Sequence, residues 1–236
     1  MSLPVVLLPS LGRGASDFDR LAADLRAAGF EVLALDPPPD LPLEVTLHDL
    51  ADRVREALDA RGWQQVHLVG HAFGQRVARC VVADHPDRVA TLTMLASGGL
   101  VPMDPEIAFS LASCFDTGLS AAEHLRHVRR VFFAEGNDAT VWADGWLPDI
   151  ATKQTRSVHA TEPGEWNTAA ARRVPVVQGL QDACAVPENG RRFVAKHPGV
   201  ATLVEIDGAG HALLPERPDE VSAALIGFLQ ADVSSQ

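Results

Sequence analysis

The feature that most constrains the fold of this chain is a regular alternation of short apolar runs with segments of helical periodicity. Most of the apolar runs carry too few polar positions to face water on one side, which is typical of strands buried on both faces of a parallel sheet. They predict a mainly parallel, six-stranded sheet with strands at Val5–Leu8, Val32–Leu35, Val66–Val69, Ala90–Leu95, Val174–Val177 and Ala201–Ile206.

The segments between these runs have the spacing and the start signals of helices. Ser16-x-x-Asp19 and Thr46-x-x-Asp49 resemble capping boxes, and each precedes an amphipathic stretch. Alternating strands and helices joined by short loops predict an α/β fold with helices on both faces of the sheet and right-handed crossovers. Further helices are predicted over 73–85, 187–197 and 218–229.

The alternation fails between about residues 97 and 173, a stretch that holds three of the four tryptophans. A third capping box, Ser120-x-x-Glu123, predicts a helix from Ala121 to Phe133. We therefore expect a core formed by residues 1–97 and 171–236, with residues 98–170 inserted as a helical cap.

Charge, hydropathy and cysteine usage exclude several classes of protein. The net charge of −11 has the wrong sign for a nucleic-acid partner. No apolar run approaches the roughly 20 residues of a membrane helix, and the N-terminus lacks the pattern of a secretory signal. Three cysteines without a CxxC pair favour reduced thiols over disulfides or a metal site. These features predict a cytoplasmic protein with no membrane partner.

Polar and glycine-rich loops follow the predicted strands, where ligands bind in parallel sheets. Four loops stand out by composition: 9–16 after the first strand, 70–74 after the third, 179–182 after the fifth and 208–211 after the sixth. The functional residues are expected among these loops.

In these loops the sequence resembles the α/β-hydrolase family, and the resemblance covers nearly the whole chain. Gly70 and Gly74 match the turn glycines of the GxSxG nucleophile elbow, Asp182 matches the acid, and His211 matches the histidine that comes last in chain order. The nucleophile position holds Ala72.

The resemblance implies a fold and a site. It implies a reduced sheet of strand order 2-1-3-4-5-6, a cap, and no cofactor or metal. Asp182 would lie about 2.6 to 3.2 Å from Nδ1 of His211 and orient its ring. The amides of Leu11 and Phe73 would form the oxyanion hole, and Ala72 would have a positive φ.

Alanine cannot act as the nucleophile, so the chain is expected to be nearly inactive as an esterase. Two explanations stay open: an engineered replacement of serine, or natural loss of serine. The intact Asp182 and His211 favour the first. Gln75 at a position that is usually small, and Pro9-Ser10 in place of the usual His-Gly, favour the second. The codon at position 72 of the natural gene would distinguish them.

Further residues are candidates for substrate binding. These are Arg13 beside the oxyanion loop, His71 inside the elbow, and Trp142 and Trp146 in the cap, which together suggest a small apolar or acyl substrate. Cys184 lies too far from the elbow in sequence to be an expected nucleophile.

Three functions are compatible with these residues. The first is hydrolysis of a carboxylic ester, thioester or lactone, the ancestral chemistry that the resemblance implies. The second is a His211-dependent enzyme of another class, such as a lyase or cofactor-independent oxygenase. The third is a non-catalytic ligand-binding module.

Overall fold

The computed structural model describes residues 2–166 and 173–233, and its centre is a six-stranded sheet of order β2-β1-β3-β4-β5-β6. Every neighbouring pair of strands is parallel. The predicted fold class and strand order are confirmed. The strands are β1 (Val5–Leu8), β2 (Val32–Ala34), β3 (Val66–His71), β4 (Val89–Leu95), β5 (Val174–Gly179) and β6 (Ala201–Ile206).

Helices cover both faces of this sheet because strand side chains alternate between the two faces. In β1, Val6 and Leu8 pack into one apolar cluster with the helices over 47–59 and 73–84, while Val5 and Leu7 pack into the other. The helices are α1 (Asp19–Ala27), α2 (Leu47–Asp59), α3 (Phe73–Asp84), α4 (Pro105–Ser113), α5 (Ala121–Phe132), α6 (Pro148–His159), α7 (Pro163–Trp166), α8 (Glu188–Lys196), α9 (Leu213–Glu216) and α10 (Pro218–Val233). Among the described residues, no helix has the length and hydropathy that crossing a membrane requires.

The helix-start predictions have mixed outcomes. The capping boxes at Thr46 and Ser120 are confirmed, each with both reciprocal hydrogen bonds. The capping box at Ser16 is wrong: a 3-10 turn over Ala15–Phe18 precedes α1, and neither element has a side-chain cap. The tight turn takes up the residues that the capping box would have used.

Among the described residues, four helices, α4 to α7, lie between β4 and β5 in the stretch predicted as the cap. We use "the cap" as a name for the described part of this stretch, residues 98–166. The helix predicted at 121–133 is α5, whereas α4 and α6 were not predicted. Both begin with Pro at the first helical turn, after Asp104 in α4 and Leu147 in α6. That Pro signal was present in the sequence. The predicted boundary at 170–171 lies outside the described residues.

Candidate active site

The turn between β3 and α3 is a strained elbow. Ala72, the single residue between the two elements, has φ 49° and ψ −105°, as the elbow prediction requires. Positive φ in a non-glycine residue costs on the order of 1–3 kcal/mol, and such strain collects at functional sites. The elbow has therefore kept its geometry without a nucleophilic side chain.

Two glycines make this elbow sterically possible. A Cβ at Gly70 would collide with the backbone of Gln75, and a Cβ at Gly74 would collide with the carbonyl of Leu8. The backbone of α3 thus lies so close to β1 and β3 that no side chain fits at positions 70 and 74. Both positions require glycine for the turn to point Ala72 away from the sheet.

His211 and Asp182 form a buried pair after β6 and β5. His211 Nδ1 lies 2.9 Å from Asp182 Oδ2, and the two side chains are 5% and 0% exposed. The other carboxylate oxygen accepts a hydrogen bond from the amide of Ala185, and Oδ2 also accepts one from Gln178. The carboxylate is held from three directions, so it fixes the orientation of the imidazole, at the predicted distance.

The electrostatics of the site shift two neighbouring histidines in opposite directions. Burial opposes the charged ring of His211, but the charge of Asp182, followed by that of Cys184 and hydrogen bonds to both, raises the pKa of His211 well above its ordinary value. Burial and then the charge of His211 lower the pKa of His71 to about 4. His71 therefore stays neutral, and His211 is the stronger base of the two.

Leu11 and Phe73 offer backbone N–H groups beside Ala72. Both residues line the same cavity as Ala72 and His211. Within the described part of the chain, neither amide donates a hydrogen bond to another group. The loop that carries Leu11 is tied to the cap, since the amide of Gly12 donates to Gln154 Oε1 at 2.7 Å. The structure thus places both residues at the cavity with amides that have no other hydrogen-bond acceptor among the described residues.

The cavity that these groups share has a volume of about 330 Å³. Its walls come from the elbow, the loops after β4 and β5, and the cap. Most of the lining is apolar, and the cap contributes Leu111, Phe132 and Val158. A cavity of this kind suits a small ligand with an apolar body and a polar reacting group.

Arg13, predicted to bind substrate, lies outside this cavity. It is buried, and its Nε and Nη2 donate to both carboxylate oxygens of Asp17 while Nη1 donates to the carbonyl of Asp144. Its guanidinium stacks at 4.6 Å from the ring centroid of Trp142 and 4.8 Å from that of Trp146. This placement ties the oxyanion loop to the cap and leaves no face for a substrate.

The two cap tryptophans and His71 are also absent from the cavity lining. Trp142 packs against Phe132 and His71, and Trp146 donates from its indole nitrogen to the carbonyl of Trp142. His71 is fully buried, and its Nε2 bonds the carbonyl of His211 at 2.9 Å. The structure thus places these residues behind the site, where they support His211 and the cap.

Several polar residues of the cavity lining had no role in the sequence prediction: Arg76, Thr155, His159, Cys184 and Asn189. Cys184 was visible in the sequence but lies outside the elbow. Its position two residues after Asp182, in the loop after β5, brings it to the cavity that His211 also lines.

The residues that could hold a metal ion lie elsewhere. Ligand atoms of His48, Cys80 and Asp84 come within 4.8 Å of one another between α2 and α3. These side chains already bond one another: His48 Nδ1 lies 2.7 Å from Asp84 Oδ2 and 3.4 Å from Cys80 Sγ. None of the three lines the cavity at Ala72.

The geometry agrees with comparisons to known proteins. A model of the alpha/beta hydrolase family matches residues 5–224. The chain is 25% identical over 212 residues to "Putative carbamate hydrolase RutD" of Caulobacter vibrioides, with 81% of this chain and 75% of that protein covered. It is 24% identical over 254 residues to 2-hydroxy-6-oxononadienedioate/2-hydroxy-6-oxononatrienedioate hydrolase 2 of Pseudomonas putida, with coverage of 96% and 87%.

The fold has counterparts among solved structures. A thermophilic esterase from Thermogutta terrifontis superposes with a TM-score of 0.80 at 20% identity, covering 98% of this chain and 91% of that one. At this identity the match shows the shared fold alone.

Proposed function

We propose, from the premise that this chain belongs to the alpha/beta hydrolase family, that its cavity binds a small carboxylic ester, thioester or lactone and that His211 transfers the proton in its hydrolysis. One observation carries the proposal: Ala72, His211 and two free backbone N–H groups line a single cavity. Oxyanion donors and a base beside them are two requirements of acyl transfer; the third is a nucleophile, which alanine at position 72 does not supply.

Each group has a defined part in this chemistry. The N–H groups of Leu11 and Phe73 hold the carbonyl oxygen of the substrate as it gains negative charge. Asp182 fixes the tautomer of His211 through Nδ1, so the other ring nitrogen faces the reacting atoms. Ala72 supplies no hydroxyl, so no acyl-enzyme forms at position 72. Without that step we expect the chain to hydrolyse simple esters very slowly.

The substrate is inferred from the cavity walls. The apolar lining from Leu111, Phe132 and Val158 favours an apolar acyl or alcohol portion, and the volume limits the ligand to a small molecule. The names of the matching relatives, a carbamate hydrolase and a hydrolase of dienedioates and trienedioates, also concern small carbonyl compounds.

A second candidate is proton transfer by His211 without hydrolysis. The observation that favours it is the same elbow: Ala72 keeps a strained positive φ beside an intact His211–Asp182 pair. A lyase or oxygenase that uses only the base and the oxyanion donors would need those features and no hydroxyl. Loss of both activities with retained ligand binding would leave the binding-module interpretation.

The test is Ala72→Ser, which adds the hydroxyl to a preassembled base and oxyanion hole. Because these groups act as a unit, hydrolysis of short-chain p-nitrophenyl esters should rise by several orders of magnitude, on the order of 10³-fold or more. The same gain should disappear when His211→Ala is added. Steady-state kinetics on folded protein, checked by thermal melting, measures both.

A matched control places the hydroxyl elsewhere in the same cavity. Ala96 also has a positive φ, at 50°, and also lines the cavity after β4. Ala96→Ser should give no comparable gain, since its hydroxyl is not at the elbow. If Ala72→Ser folds and gains nothing against esters, thioesters and lactones, the hydrolysis proposal is wrong. Turnover that depends on His211 but not on residue 72 would then support the second candidate.

A further inference from the structure

Cys184 is the one thiol of the described residues that lines the cavity at Ala72. It follows Asp182 by two positions in the loop after β5, and it is partly exposed where Cys80 and Cys114 are buried. The turn that delivers the carboxylate to His211 therefore also delivers a sulfur to the same cavity. The site contains a thiol, an imidazole and a carboxylate although it lacks a serine.

The thiol of Cys184 and the imidazole of His211 line the same cavity. Burial lowers the pKa of His211, and the charge of Cys184 is, after that of Asp182, among the contributions that raise it. Since Nδ1 of His211 faces Asp182, the second ring nitrogen remains for the thiol. A sulfur beside an imidazole that a carboxylate holds in place is the arrangement that activates cysteine nucleophiles.

A cationic side chain lines the same cavity as this sulfur. Arg76 is part of the lining, and its guanidinium is 5.4 Å from the ring centroid of Trp166. It forms no hydrogen bond or ion pair with a residue in 2–166 or 173–233, and burial lowers its pKa. A thiolate formed at Cys184 during the reaction would thus share the cavity with a guanidinium cation.

The other two cysteines show the contrast. Burial, then the charge of nearby Cys184, raises the pKa of the Cys114 thiol to about 12, and burial raises the pKa of the Cys80 thiol further. Neither lines the cavity: Cys114 packs in an apolar cluster, and Cys80 packs against apolar side chains and contacts His48 and Asp84. Both are buried, so they serve as internal references for the reactivity of Cys184.

We propose that Cys184 is the nucleophile of this site, in a Cys184–His211–Asp182 triad that takes the place of the missing serine. This inference rests on the proposed function for its substrate, a small acyl compound held by the amides of Leu11 and Phe73. It identifies a catalytic residue that lies outside the elbow. The elbow then supplies an oxyanion donor and a cavity wall, while the loop of the acid supplies the attacking atom.

The reaction is balanced without any further reagent than water. His211 takes the thiol proton as Sγ of Cys184 bonds to the carbonyl carbon, and the bond to the leaving oxygen or sulfur breaks. His211 then gives that proton to the leaving group. In the second half, His211 removes a proton from water, the hydroxide attacks the thioester, and the thiolate leaves and recovers the proton.

The test combines acyl trapping with thiol reactivity in the complete chain. Brief exposure to p-nitrophenyl acetate should place an acetyl group on Cys184, located by peptide mass spectrometry after an acid quench. The residual hydrolysis of this ester should fall at least about tenfold in Cys184→Ala and remain in the control Cys80→Ala. Alkylation of Cys184 by iodoacetamide should slow at least about tenfold in His211→Ala, since the imidazole stabilises the thiolate.

Each result decides between outcomes. Acetylation at another residue, or residual hydrolysis that survives Cys184→Ala in folded protein, overturns Cys184 as the nucleophile. Alkylation at equal rates with and without His211 overturns the triad. Failure of Ala72→Ser to gain activity would refute the serine-compatible site of the proposed function. It leaves the acetylation and alkylation readouts intact, so the two failures are distinguishable.

Discussion

Two buried ion pairs lie close to the elbow, and they have opposite consequences. Arg13 and Asp17 approach to 2.6 Å with side chains 5% exposed each. His211 and Asp182 approach to 2.9 Å with side chains 5% and 0% exposed. Burial and distance therefore do not distinguish the pair that holds the fold from the pair that faces the cavity.

The two pairs differ in whether the cationic side chain keeps a nitrogen atom that has no protein partner. Arg13 donates from Nε, Nη1 and Nη2 to protein oxygens, and Trp142 and Trp146 cover its guanidinium. His211 uses one ring nitrogen for Asp182 and lines the cavity with the rest of its ring. A buried charged group whose partners are complete acts on stability. One with an open nitrogen at a cavity acts on a ligand.

His71 links the two pairs electrostatically. The charges of Asp17 and Asp182 each raise the pKa of His71, but burial lowers this pKa by more and keeps the ring neutral. His71 also bonds the carbonyl of His211, so it joins the inert pair to the reactive one. The Arg13 pair thus supports the site indirectly, by fixing the oxyanion loop and the cap around His71.

The strongest test of this comparison is to neutralise each carboxylate in the Ala72→Ser background. Asp182→Asn removes the acceptor that fixes the tautomer of His211, so kcat should fall on the order of 10⁴-fold, as the wrong tautomer causes in other serine hydrolases. Asp17→Asn should change kcat far less, because Asp17 contacts Arg13 and not the base. The measurement is kcat on p-nitrophenyl esters with folded enzyme. Equal losses of kcat in the two variants would show that the two ion pairs do not differ in their effect on catalysis.

The sequence predicts the His211–Asp182 pair better than the Arg13–Asp17 pair, and the reason is physical. Asp182 and His211 follow strands β5 and β6, and parallel strands deliver their carboxyl ends to one edge of the sheet. Ala72 is placed by the same rule, since Gly70 and Gly74 leave the elbow one steric solution. The alternation of strands and helices therefore predicts the sheet and the loops that carry the site, and the resemblance to the alpha/beta hydrolase family identifies the strand order and the three positions within those loops.

The cap is less accessible because its contacts depend on tertiary packing. Arg13 was predicted to bind substrate, yet the contacts that occupy it come from Asp144 and Trp142, which lie more than one hundred positions further along the chain. Cys184 was set aside because it is outside the elbow, yet the turn after Asp182 brings it to the cavity that His211 lines. No pattern of neighbouring residues in the sequence predicts the contacts of Arg13 with the cap or the position of Cys184 in the cavity.

The next test concerns stability. Arg13→Met keeps the apolar stem against Trp142 and Trp146 but leaves the carboxylate of Asp17 buried without its cation. Breaking one partner of a buried pair costs about 3–5 kcal/mol of folding free energy. The control is Arg20→Met, which breaks exposed pairs with Asp24 and Asp219 and should cost far less, because solvent screens both pairs. Urea unfolding measures both, and similar small losses would show that the Arg13 pair is not a structural tie.

The smallest effect, and the most specific, is on the pH dependence of Ala72→Ser. A general base is active when neutral, so kcat/KM should fall as the pH drops through the pKa of His211. Burial lowers that pKa, but the charge of Asp182 and then that of Cys184 raise it well above 6.5, so the acid limb of the profile should lie above pH 6.5. Adding Cys184→Ala removes the smaller of the two contributions and should move the limb to lower pH. Adding Asp17→Asn should leave the acid limb in place, because Asp17 is not among the groups that raise the pKa of His211.

His71, with a pKa of about 4, stays neutral throughout this pH range and does not add a second limb to the profile. A profile that moves with Asp17 and not with Cys184 would reverse the assignment of the two ion pairs.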